Sequence, residues 1–207
     1  MIDTKNQWLD WAIELQALSQ AGLHYSKDVF DIERYSRIRE ISAEIISKKA
    51  KISLKKAKDL FCCETGYQTP KIDTRAAIFK NKKILLVQEK NGTWSLPGGW
   101  CDVNFSVKEN IIKEVKEEAG LDVVVEKVIA VQDREKYNKP VYIWRICKIF
   151  LQCTLIGGEF SKNSETVSSA WFNEKKIPNL AEEKNNEDQI KMCFKAFKTK
   201  HWSTLID

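Results

Sequence analysis

The chain has 207 residues, 43% of them hydrophobic and 30% charged, proportions that exclude a wholly disordered chain, a coiled-coil rod and a collagen-like fibre. Basic residues number 34 and acidic ones 29, a formal charge of +5. That is too small and too dispersed to choose between an anionic small molecule and a nucleic acid.

The chain opens with acids rather than the basic start and apolar stretch of a secretory leader, so a cytoplasmic protein is expected. No apolar run nears the roughly 20 residues of a membrane-crossing helix, and no membrane partner is expected. Six cysteines lack any Cys-x-x-Cys pair and are joined by only two histidines. They read as reduced thiols packed as small hydrophobes rather than as a zinc site.

Residues 1 to about 68 read as a small all-helical domain. Trp8, Trp11, Ile13, Leu15 and Leu18 recur at helical spacing from Gln7 to Gln20, as do Phe30, Tyr35, Ile38, Ile41 and Ile45 from Asp28 to Lys48. A third helix is predicted from the N-cap Ser53 through Leu54, Ala57, Leu60 and Phe61 until Gly66. Three such helices bury little apolar surface, so the unit is expected to lean on the rest of the chain or on a second copy, as in a homodimer.

From residue 69 to 207 the pattern is mixed α and β. Strands are predicted at Ile72–Phe79 and Lys83–Glu89, with a turn at Lys80–Lys82 between them. A glycine- and proline-bearing loop spans Asn91–Val103, followed by a helix over Ser106–Ala119. Further strands are predicted at Asp122–Gln132, Tyr142–Leu155 and Val167–Phe172, with a last helix at Glu187–Phe197.

The helix after the loop carries the chemistry. Ser106 with Glu109 matches a capping box, and Gly120 suits the left-handed residue beyond a helix end. On a helical wheel Val107, Ile111, Ile112, Val115 and Ala119 share one arc and Glu114, Glu117 and Glu118 the next. Like charges crowded at the C-terminal end, beside an apolar arc, are unfavourable three times over: mutual repulsion, helix dipole and desolvation. A divalent cation removes most of that cost, and carboxylate oxygens suit Mg²⁺ or Mn²⁺. Glu-x-x-Glu-Glu alone also describes a solvated helix face. The Gly98-Gly99 loop ahead of it, where backbone can approach a ligand, is what favours the metal.

This stretch resembles the Nudix box: Gly, five residues, Glu, seven residues, Arg-Glu, aliphatic, any, Glu-Glu, any, Gly, aliphatic. Gly99, Glu114, Val115, Glu117, Glu118, Gly120 and Leu121 match, while Phe105 stands at the isolated Glu and Lys113 at the Arg. The resemblance implies a Nudix α/β/α sandwich with a mixed sheet over residues 69–207, preceded by the helical domain. It implies metal ligation by Glu114, Glu117, Glu118 and the Gly99 carbonyl, with weakened support from Phe105 and Lys113 rather than a dead site. The N-terminal stretch Trp8–Tyr35, with Glu64–Asp73 and Leu96–Val103, is similar to a Nudix subgroup acting on nucleoside diphosphates linked to another group X, such as CDP-choline, ADP-ribose or UDP-linked compounds.

The expected activity is thus hydrolysis of such a small-molecule nucleotide to a nucleoside monophosphate and phospho-X, with Glu114, Glu117 and Glu118 catalytic through the metal. Glu165 is the candidate base, or else an exposed loop acid. Arg75, Glu89, Gly98 and Trp100 are candidate substrate-binding residues, each with a purely structural alternative. Trp94 either stacks on a base or packs, and Tyr25, Arg34, Tyr35 and Tyr67 are candidates from the helical domain, Arg34 with Asp31 as an alternative partner. Cleavage of nucleoside triphosphates or dinucleoside polyphosphates, and a non-catalytic Nudix-fold sensor, are the competing readings. No nucleic-acid partner is expected, since the helical domain interleaves its basic residues with acids.

Overall fold

The computed structural model describes residues 7–161 and 165–207, so the helical reading of residues 1–6 lies outside the described residues. The chain divides into two compact units between Thr69 and Pro70.

The first unit holds α1 (Gln7–Tyr25), α2 (Val29–Ala50) and α3 (Leu54–Phe61). Asp28 caps α2 by accepting the N–H groups of Phe30 and Asp31, and Ser53 caps α3 by accepting that of Lys56. α3 stops at Phe61, five residues short of Gly66, where the sequence predicts its end. The buried face also differs from the expected one. Leu9, Ala12, Ile13, Gln16, Ser19 and Gln20 face inward on α1, while Trp11 and Leu18 stand 55% and 59% exposed. Small side chains decide this: Ala12, Ser19, Ser42 and Ala43 are fully buried, and a Cβ on Gly22 would lie 2.4 Å from the Tyr35 ring. Helices that close leave no room between them for tryptophan, and the polar Gln16 and Gln20 are tolerated because they bond to one another at 3.0 Å.

The second unit is a mixed seven-stranded sheet with a helix on each face, the predicted α/β/α sandwich of the α+β class. β1 (Lys71–Lys80) and β2 (Lys83–Glu89) form a hairpin whose turn residues Asn81 and Lys82 both have positive φ, the twist that a two-residue turn needs. β3 (Trp94–Ser95) and β6 (Thr166–Phe172) pair with β2. β1 runs parallel to β5 (Ile146–Gly158), which runs antiparallel to β4 (Leu121–Asp133). β7 (Leu205–Ile206) adds a short parallel edge on β4. α4 (Val107–Ala119) packs Ile111, Val115 and Ala119 on one face, and α6 (Glu187–Lys198) packs Ile190, Cys193 and Phe194 on the other.

β3 and β7 are short strands that the sequence pattern does not predict, and two further elements depart from expectation. β5 begins at Ile146, four residues after the predicted Tyr142, because Tyr142 turns its ring onto the guanidinium of Arg134, 3.6 Å away. Arg134 opens α5 (Arg134–Tyr137), a single turn with too few residues to show a helical period.

Candidate active site

Both ends of α4 are fixed as the sequence predicts. Ser106 and Glu109 form the reciprocal capping box, and Gly120 closes the helix at φ 68°. The loop ahead is laid along β1: the Pro97 carbonyl accepts from the Ala76 N–H at 2.8 Å and the Gly99 carbonyl from the Thr74 N–H at 2.9 Å. Gly98 has φ +137°, and a Cβ there would sit 2.0 Å from the Thr74 carbonyl oxygen, so only glycine fits. Its N–H donates to Glu118 Oε2 at 2.8 Å, tying loop to helix. A Cβ on Gly99 would lie 2.9 Å from Glu114 Oε2.

Loop, helix and sheet enclose a cavity of about 500 Å³, a size that accommodates a small organic ligand. Gly98, Gly99, Trp100, Arg75, Glu114, Glu117, Glu118 and Glu165 all line it, so the structure brings these sequence candidates together. Glu89 lies instead in an adjoining hollow that it shares with Glu118, Glu165 and Lys184. Its carboxylate accepts from Ser95 Oγ at 2.9 Å and pairs with Lys184 at 2.5 Å.

The carboxylates are differently housed. Glu118 is 4% exposed, and burial pushes its carboxyl up to about 7, against the pull of Arg75 and of the Gly98 N–H. Burial also raises Glu114. Glu117 is more exposed and holds Lys113 at 2.9 Å, whose ammonium also lies 3.5 Å from Glu114 and 3.3 Å from Asp102. Lys113 is thus held charged, most of all by Glu117. Among the described residues no three His, Cys, Asp or Glu side chains converge closely enough to hold a metal as they stand. The geometry explains this: Glu118 is turned onto Gly98, and the Lys113 ammonium sits beside Glu117, Glu114 and Asp102.

Arg75 is buried rather than a surface strand residue. Its Nη2 and Nε clamp Asp73 at 2.6 and 3.0 Å, and Nη1 donates to the Leu96 carbonyl at 3.3 Å. Trp100 is half-exposed at the cavity, whereas Trp94 packs edge-on against Phe172. In the helical unit Arg34 pairs with Asp31 at 2.7 Å, and Tyr25 and Tyr67 are exposed.

Four cavity or support residues escaped the sequence reading. Asn110, fully buried in α4, bridges Thr74 Oγ1 and the Asp102 N–H. Asp73 and Lys148 face each other across the β1–β5 pairing, and burial brings the Lys148 amine down to about 7. Arg134 is 1% exposed on the same cavity. Only Asn110 left a local signal, a polar residue at a core position of α4. The rest lie on strands or on the single turn of α5, and the sequence does not name their neighbours.

Known proteins place this arrangement. Residues 6–61 match the UDP-X-like, N-terminal oligomerisation domain, and residues 70–193 match the NUDIX domain. YjhB of Bacillus subtilis is 38% identical over 208 residues, 100% of each chain. A crystal structure described as an ADP-ribose pyrophosphatase of Streptococcus suis is 54% identical, covering 67% of this chain and 100% of its own, with TM-score 0.64. One described as a UDP-X diphosphatase is 29% identical, covering 97% and 98%, with TM-score 0.63. Matched through its loop, its glutamate helix and its sheet, and aligned end to end with a relative, the chain belongs to the Nudix hydrolase family, whose members are pyrophosphohydrolases.

Proposed function

We propose that this chain hydrolyses the pyrophosphate of a nucleoside diphosphate linked to a second group X, giving a nucleoside monophosphate and phospho-X, with Mg²⁺ or Mn²⁺ as cofactor. The observation that carries this reading is the end of α4: three glutamates, one of them buried with its carboxyl raised to about 7, line the same cavity as Arg75 and the Gly98–Gly99 backbone. Such a set is costly without a cation and well suited to one, since every donor is a hard oxygen. Glu114, Glu117 and Glu118 would hold the metal with the Gly99 carbonyl, whose oxygen accepts from the Thr74 N–H at 2.9 Å and at longer range, 3.4 Å, from Thr74 Oγ1. Such an ion would polarise the phosphates and make water a better nucleophile.

The chain's own residues do the rest. The Lys113 ammonium holds Glu117 at 2.9 Å and lies 3.5 Å from Glu114, so it would have to yield both carboxylates to a bound ion. Arg75 clamps the Asp73 carboxylate at two points, so that carboxylate's charge is compensated where it meets the cavity. Glu165, in the loop before β6 and on the cavity, is placed to take a proton from the attacking water. Relatives described as acting on ADP-ribose and on UDP-X support the diphosphate-X class.

The test is product release from UDP-glucose, CDP-choline, ADP-ribose and nucleoside triphosphates with Mg²⁺ or Mn²⁺, coupled to a phosphatase. Turnover confined to triphosphates, or to none of these, ends the reading. Glu117→Gln is expected to lose roughly 100-fold or more in kcat, and near-normal turnover in that variant ends the ligand assignment.

The N-terminal unit, matching an oligomerisation domain and exposing Trp11, Leu18 and Tyr25 at seven-residue intervals along α1, supports a homodimer. Among the described residues no helix is long and apolar enough to cross a membrane. A cytoplasmic setting is part of the same proposal.

A further inference from the structure

One wall of the cavity is unexplained by the chemistry above. Across β1, β5 and β4 the residues Asp73, Lys148 and Gln132 fall in one row, and Arg134 follows two residues later at the start of α5. Beneath it lies a buried polar network. Gln132 accepts from Gln189 at 3.0 Å, Gln189 and Asn138 exchange bonds at 2.9 and 3.1 Å, and the Lys148 amine reaches Asn138 and the Lys184 carbonyl.

Arg134 is 1% exposed. Its Nε donates to the Glu183 carbonyl at 3.2 Å, and its Nη1 to Glu135 and the Pro140 carbonyl at 2.8 and 2.9 Å. Nη2, with two N–H groups, is buried without a hydrogen-bond partner among the described residues. Buried donors are almost always satisfied, so this one asks for an acceptor that binds from the cavity. An uncharged acceptor fits this position. Glu135 pairs with Arg134, while Asp73 is shared between Arg75 and Lys148. At Arg134 itself the positive charge is already met by Glu135, so its spare Nη2 suits a carbonyl better than a phosphate. Tyr142 lies over the guanidinium, 3.6 Å away, so the group that Arg134 meets on this side is a flat ring.

Building on the diphosphate-X reading, we propose that Arg134 reads the substrate's base, donating from Nη2 to a ring carbonyl and favouring uracil or cytosine over adenine. Adenine has no carbonyl, and its N7 lies beside an amino group. That amino group would set donor against donor at Arg134 and Lys148.

The test uses the full chain and titrates UMP, CMP and AMP by calorimetry without metal, so it does not depend on turnover. Wild type is expected to bind UMP and CMP more tightly than AMP. Arg134→Lys keeps a charge beside Glu135 but has no Nη2. It is expected to weaken UMP and CMP by roughly 10- to 100-fold and AMP by no more than about two-fold. In turnover, KM for UDP-glucose and CDP-choline rises in this variant while kcat holds. AMP bound as tightly as UMP by wild type, or an equal loss on all three nucleotides in a variant of native melting temperature, overturns the proposal. If Arg134→Lys does not fold, the wild-type ranking decides alone. Loss of UMP binding in a chain that cleaves no diphosphate-X compound would sink the activity reading and leave Arg134 as a base reader.

Discussion

Glu118 shows how one side chain serves two opposed ends. Its raised carboxyl means that the folded chain holds a proton there which the unfolded chain has lost, over the window from about 4.5 to about 7. Metal-free stability therefore falls as pH rises through that window, and the cost is present in full only above about 7. Glu118→Gln keeps an acceptor for the Gly98 N–H and never ionises. Without metal it should melt higher than wild type at pH 8, by on the order of 2 kcal/mol, with the gap closing towards pH 4.5 and with activity lost. Equal melting at pH 8 would mean that Glu118 is not desolvated in solution. Gly99 makes a related point through space rather than charge. A methyl there meets Glu114 Oε2 at 2.9 Å, so Gly99→Ala should weaken Mn²⁺ binding, read by calorimetry, with little change in melting.

At the scale of the element, α4 owes its position to its two ends. Ser106→Ala removes the acceptor for the Glu109 N–H and should cost about 1 kcal/mol in urea unfolding. Gly120→Ala should cost more than about 1 kcal/mol, because φ is 68° and the new Cβ would lie 2.2 Å from the Glu159 carbonyl oxygen. These ends were legible because capping is local chemistry, satisfied within four residues. The end of α3 was not. Gly66 has the positive φ that the sequence suggests, but its carbonyl accepts from Gln20, a partner 46 residues away, and the helix has already ended at Phe61. β5 was overextended for the same reason, since Tyr142 was claimed by Arg134 rather than by a neighbouring strand.

For the molecule as a whole, the apolar side chains that the helical unit leaves outside argue for a second copy. The double variant Trp11→Asp, Leu18→Asp changes two exposed positions, so the fold should survive while light scattering shows the mass of a monomer. A wild-type chain that is itself monomeric at micromolar concentration would remove the homodimer proposal. The sequence by itself determined the two-part layout, the capped helix and the line of glutamates, because periodicity, caps and a spaced motif are properties of neighbours along the chain. Only the tertiary structure decided which face of α1 is buried, that Arg75 is clamped by Asp73, and that Lys148 and Arg134 share a cavity with the glutamates. Those outcomes depend on how closely backbones approach and on which strands lie side by side, and both are set by contacts between residues far apart in sequence.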